Sequence, residues 1–143
     1  MKCQTKRKKG FTLVELIVVI AIIGLLFSAV GVAVYKWIAK GEKARIQTDF
    51  HNIKLAIQGY YTDTRQMPNS LKDLVQQPAG VEGWNGPYVE DGKLPLDPWN
   101  HPYQLKVPGR GGAKYEIICL GADGRPGGTG DNADISSLDL KKK

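Results

Sequence analysis

The sequence predicts an α+β chain: a long amino-terminal α-helix whose second half packs on a small antiparallel β-sheet domain that ends in a glycine-rich loop. Three observations predict it. Leu16 to Tyr35 is a run of twenty residues without one charge. Beyond it Ile46, Phe50, Ile53, Ile57 and Tyr60 recur at spacings of 4, 3, 4 and 3, which puts all five on one face of a helix. Two later runs, Tyr103-Leu105-Val107 and Tyr115-Ile117-Cys119, alternate apolar with polar residues as the strands of a hairpin do. A length of 143 residues with 42% apolar and 24% charged residues is ordinary for one globular domain and excludes a collagen-like or long disordered chain.

Charge is unevenly placed. Of twenty basic residues, Lys2, Lys6, Arg7, Lys8 and Lys9 open the chain and Lys141, Lys142 and Lys143 close it. Without these eight, twelve basic residues face fourteen acids, so the body is slightly acidic although the formal net charge is +6. A nucleic-acid binder spreads basic residues over a folded face to neutralise several phosphates, and no nucleic-acid partner is expected here. Cys3 and Cys119 lie far apart, one of them in the basic leader, which argues against a disulfide framework.

The first element is a helix from Phe11 to about Asp63, because no proline occurs between Phe11 and Met67. Twenty apolar residues at helical rise span about 30 Å, the thickness of a bilayer's hydrocarbon core. A secretory signal has the same basic start, but its apolar core is shorter and leads to a small-residue cleavage site. The helix divides into residues 11–35, apolar all round, and 36–63, one-sided. A remainder of about a hundred residues cannot wrap the first part, which therefore requires lipid or other copies of the chain.

Glu15 stands at the edge of that apolar run. An ionisable group at membrane depth is costly, which marks it as functional unless it lies one turn inside the interface and reaches water. Removal of the leader after Gly10 would create an α-amino group on Phe11 able to pair with Glu15 of a neighbouring helix. On charge alone the membrane orientation is nearly undecided, because Lys36, Lys40, Lys43 and Arg45 follow the apolar stretch.

Lys8-Lys9-Gly10-Phe11-Thr12-Leu13-Val14-Glu15 resembles the leader and helix start of type IV pilins and type II secretion pseudopilins. The resemblance implies that a prepilin peptidase cleaves between Gly10 and Phe11 and methylates the new Phe11 amine. It also implies that Glu15 pairs with Phe11 of an adjacent subunit during assembly.

Residues 64–143 form the globular remainder. Ser70 and Asp73 read as the N-cap and first-turn acid of a short helix from Leu71 to about Gln76. Pro78 to Pro102 is too rich in proline for regular strands. Next comes the hairpin, with Pro108 to Gly112 as its loop and Cys119 as a small buried hydrophobe. The tail from Leu120 to Ser137 holds Asp123, Asp131 and Asp134 among glycines, which suits either a solvated loop or a site for a hard cation. Its spacing is not that of an EF-hand. Gly128 to Ala133 matches a loose dinucleotide fingerprint but leaves no room for the following helix and strand, so that reading is rejected.

Asp97-Pro98-Trp99 with Pro102-Tyr103, together with Gly121-Ala122-Asp123-Gly124, the glycine run to Gly130 and Ala133-Asp134-Ile135, resembles the major pseudopilins of type II secretion systems. The resemblance implies a calcium loop with side-chain ligands Asp123, Asp131 and Ser137 and backbone oxygens of Leu120 and Ile135, Asp134 being a neighbour. It implies a single-pass inner-membrane protein with its carboxy-terminal domain in the periplasm. It further implies a homopolymer that meets minor pseudopilins and an inner-membrane assembly platform and helps drive folded exoproteins across the outer membrane. His51 and His101 belong to no catalytic motif, and an enzyme is not expected. The alternatives are a type IV pilus pilin and a membrane-anchored periplasmic binding module acting singly.

Overall fold

The computed structural model describes residues 10–141, apart from the side chains at 28–33, 35, 36 and 141. The leader through Lys9, with Cys3, and the terminal Lys142 and Lys143 lie outside the described residues. The chain divides into two compact units at Ile38/Ala39.

Helix α1 runs Leu13–Thr64 and contains 52 residues, within two residues of the sequence expectation at either end. It ends where Arg65 turns into the left-handed region at φ 58°, its N–H still donating to the Tyr61 carbonyl at 2.9 Å. In the first unit the apolar side chains from Phe11 to Phe27 are exposed around the whole helix: Leu25 is 74% and Phe27 73% accessible. Among the described residues no helix is long and apolar enough to cross a membrane. The twenty-residue apolar run continues through positions whose side chains are not described.

In the second unit the expected stripe is the core. Ile46, Phe50, Ile53, Ile57 and Tyr60 are all buried, joined by Ala56, Leu71, Leu74, Tyr103, Ile117 and Cys119. Edge-on ring pairs extend it, with centroids 5.5 Å apart for Phe50 and Tyr103 and 5.7 Å for Tyr60 and Tyr88. The Tyr103 hydroxyl donates to Asp49 at 2.7 Å, tying the helix to the start of the sheet.

The short helix is a single 3-10 turn, Leu71–Leu74, shorter than expected. Its start is the expected one: Ser70 and Asp73 form a reciprocal capping box. The Asp73 carbonyl then accepts from the Trp84 indole at 2.9 Å, which anchors the proline-rich stretch. That stretch contains no regular strand, only a bridge between Leu96 and Pro102.

Strands β1 (Gln104–Lys106) and β2 (Glu116–Cys119) make the expected antiparallel hairpin, with Leu105 opposite Ile117. A third strand, β3 (Ile135–Ser136), adds antiparallel to β2 with Ile135 opposite Cys119. The alternation expected of β2 is absent, since Glu116, Ile117, Ile118 and Cys119 are all buried. As the central strand it has β1 on one edge and β3 on the other, and a two-residue β3 carries too little periodicity to show in a sequence.

Truncating the stripe tests this packing. Ile53→Ala is expected to cost about 3 kcal/mol of unfolding free energy in the detergent-solubilised full chain, whereas Leu55→Ala, at an exposed position of the same turn, changes it by less than about 0.5 kcal/mol.

Candidate functional site

At the amino terminus Gly10 precedes the helix outside any regular element, and Phe11 is 80% accessible. A Cβ at Gly10 would meet nothing within 4 Å, so this chain's own packing does not require glycine there. Glu15 has a role that its position alone did not suggest. The Glu15 carboxylate accepts from the Thr12 backbone N–H at 3.3 Å and from the Thr12 hydroxyl at 3.2 Å, and the Thr12 hydroxyl oxygen accepts the Glu15 N–H at 3.3 Å. This is a capping box, which satisfies two donors of the first turn and sets an anion at the positive end of the helix dipole. The signal was present in the sequence as Thr12-Leu13-Val14-Glu15.

The carboxy-terminal loop sets the segments that bear two of the residues expected to hold a cation next to each other. The Ala122 N–H donates to the Asp131 carbonyl at 2.9 Å, so the segments bearing Asp123 and Asp131 lie side by side. Gly121, at φ 70°, allows this approach, because a Cβ there would fall 2.7 Å from the Asn132 carbonyl carbon. Leu120 follows β2 directly, and Ile135 opens β3 opposite Cys119, so their backbones are neighbours. Asp123 and Asp131 are exposed, and one Asp123 oxygen accepts the Arg125 N–H at 3.1 Å. Asp134 closes the loop, accepting the Gly127 N–H at 3.0 Å and returning its own N–H to the Gly127 carbonyl. Ser137 is buried in the strand system, where its hydroxyl accepts the Ile117 N–H at 3.0 Å. Among the described residues no three His, Cys, Asp or Glu side chains converge on a metal position.

Two buried carboxylates escaped the reading of the sequence. Asp97 accepts the Trp99 and His101 N–H groups at 2.9 and 2.8 Å and so shapes the Asp97-Pro98-Trp99 turn. The Cys119 thiol donates to Asp97 at 3.4 Å, and burial with this neighbouring carboxylate pushes the thiol up to about 12, so it stays protonated and unreactive. His101 contacts the Gly121 carbonyl at 3.2 Å, a packing role, and His51 is a surface residue. Glu116 is fully buried on β2, where it accepts from Arg110 Nε and from the Ser136 hydroxyl, each at 2.6 Å. Burial pushes its carboxyl upward, but the Ser136 and Arg110 hydrogen bonds outweigh this and hold it below the ordinary carboxylate value. No sequence pattern distinguishes Glu116 from the exposed polar residue that alternation predicts.

Comparison with known proteins follows these two regions. Residues 5–31 match the family described as the prokaryotic N-terminal methylation motif, and residues 33–138 match the family described as type II secretion system protein G. The chain is 39% identical to the type II secretion system core protein G of Xanthomonas campestris, with 88% of this chain and 87% of that protein covered. It is 35% identical to the protein of the same name from Pseudomonas aeruginosa, covering 95% and 99%, and 35% identical to that of Escherichia coli, covering 97% of each. Among solved structures it resembles the major pseudopilin from the type 2 secretion system of enterohaemorrhagic Escherichia coli. That likeness has a TM-score of 0.61 at 27% identity and covers 72% of this chain and 87% of that one.

The Glu116 network predicts an acid limb of stability. Because folding holds Glu116 below the free value of about 4.3, its contribution is complete above that pH and is lost as pH falls through the depressed folded value. Thermal unfolding of the full chain in detergent is expected to show a falling midpoint below about pH 4.3. Glu116→Gln flattens that limb and costs about 1–2 kcal/mol at neutral pH.

Proposed function

We propose that this chain, which belongs to the type II secretion system protein G family, is the major structural subunit of the pseudopilus, a periplasmic fibre that helps drive folded exoproteins across the outer membrane. The observation that carries the reading is a helix start and a globular unit that match two adjoining family descriptions in one chain, joined by a continuous α1. The family is one of structural subunits, and the chain acts by assembly rather than by catalysis. A prepilin peptidase cleaves between Gly10 and Phe11 and methylates Phe11. The helix over residues 11–35 holds the protein in the inner membrane, with the globular unit in the periplasm, and later packs against other copies. Support comes from apolar residues exposed all round the helix from Phe11 to Phe27. Minor pseudopilins and an inner-membrane platform are the further partners.

Glu15 serves assembly by exchanging partners. In the single chain its carboxylate caps its own helix through Thr12, and in the fibre it meets the Phe11 amine of a neighbour, so that both charges enter an apolar bundle paired. Glu15→Ala is expected to yield chains that insert and begin at Phe11 by intact mass, yet whose fibre yield falls at least tenfold. Normal fibres from that variant refute the pairing.

The loop from Leu120 to Ser137 is proposed to bind calcium. The donors fit such an ion: carboxylates of Asp123 and Asp131, the Ser137 hydroxyl with one acceptor position still available, and the carbonyls of Leu120 and Ile135 are all hard oxygens. Water completes the six to eight contacts that calcium takes. The Ala122–Asp131 and Gly127–Asp134 bonds already hold this part of the loop together, and a calcium ion there would supply positive charge against the Asp123 and Asp131 carboxylates. Calcium at a hundred times its dissociation constant is expected to stabilise the full chain by about 2.7 kcal/mol in thermal unfolding, reversed by chelator and abolished in Asp131→Asn. An unchanged midpoint removes the metal from this account.

A further inference from the structure

Two surface features of the globular unit are complementary in charge. One is an open groove of about 560 Å³ between α1 and the loop before Leu96. Leu55, Val89 and Leu94 belong to its apolar lining, with Leu55 54% accessible. Glu90 and Asp91 lie on its rim in a tight turn, with Lys93 beside them. The other is the connection between β1 and β2. Val107 is 41% accessible there, between exposed Lys106 and exposed Lys114. This connection is pinned: the Gly109 N–H donates to the Ala113 carbonyl at 2.9 Å, the Ala113 N–H to the Arg110 carbonyl at 3.2 Å, and Arg110 is held by Glu116. Such a turn loses little freedom on docking.

We infer that the β1–β2 turn of one copy docks in the Leu55–Leu94 groove of the next, Val107 entering the apolar lining while Lys106 and Lys114 face Glu90 and Asp91. The inference rests on the reading of the chain as a homopolymer and names the lateral contact between its globular units. Charge complementarity selects a second copy: an acidic rim and a basic turn reside on the same chain but share no residue. Each copy therefore offers one of each, and in an open fibre this heterologous contact repeats from one copy to the next. Lys114, at the end of that connection, also lies over the Tyr61 ring of α1, its Nζ 5.8 Å from the centroid. Exposed ion pairs are individually weak, so the contact forms only among copies already concentrated by packing of their apolar helices.

The test uses the full chain in membranes that contain the processing enzyme, with Leu55→Cys and Val107→Cys combined, both at exposed positions. Mild oxidation is expected to give a ladder of dimers, trimers and larger species from the double variant, and no ladder from wild type or either single variant. Adding Lys106→Glu and Lys114→Glu lowers the ladder about tenfold through like-charge apposition, high salt lowers it as well, and Glu90→Lys restores it. Absence of the ladder while the same chains still sediment as polymer overturns this pairing and leaves the homopolymer standing. Failure of wild type to polymerise overturns both. A ladder that stops at dimers, or a cross-link to a different protein in place of a second copy, also overturns the inference.

Discussion

Burial of one apolar stripe, Ile46, Phe50, Ile53, Ile57 and Tyr60, is the interaction on which the rest of the globular unit depends. A helix alone in water gains little from its own hydrogen bonds, and its persistence comes from covering such a face. The sheet is too small to stand by itself, with strands of three, four and two residues. Helix and sheet are therefore stable only against each other. The Tyr103–Asp49 hydrogen bond and the Phe50–Tyr103 ring contact fix where along the helix the sheet attaches.

Around that core, irregular chain is held by side chains in place of ladders. Asp97 gathers two backbone donors of its own turn, Glu116 gathers Arg110 and Ser136, and Ser70 and Asp73 cap the single 3-10 turn. A buried carboxylate is tolerated only when its lone pairs are taken, and here the partners lie on segments that must be brought together. Glu116 joins the β1–β2 connection to β2 and, through Ser136, to β3, and Arg110 reaches on to Asp139 at 3.1 Å. The loops that face outward are thereby presented in one arrangement.

Assembly divides the work between two kinds of surface. The apolar helix, exposed all round from Phe11 to Phe27, is the surface proposed to meet lipid first and other copies afterwards, an attraction without direction. The contacts proposed to set register are directed and weak one at a time: the Glu15 carboxylate at the helix start, and the acidic groove and basic turn on the globular unit. The calcium proposed for the glycine-rich loop would serve the same end by narrowing what that loop can adopt. None of these needs to be strong, because a fibre repeats each one in every subunit.

The sequence by itself determined the long helix to within two residues, the face it buries, the capping box at Ser70, the hairpin and the family. Each of these is encoded in identity or spacing along a short stretch, where helical and strand periods translate directly into faces. Thr12 with Glu15 is equally legible, as a threonine and a glutamate three apart at the start of a helix, the same pattern that marks the cap at Ser70. What only the tertiary structure decided lies where distant segments meet. Strand β3 exists because β2 has a free edge at its side, the burial of Glu116 follows from β2 being central, and the adjacency of Ala122 and Asp131 follows from Gly121 accepting a backbone that a Cβ would exclude. Periodicity reports which face of an element is covered, but not by what, and the partners of a buried charge are chosen by the closure of the chain upon itself.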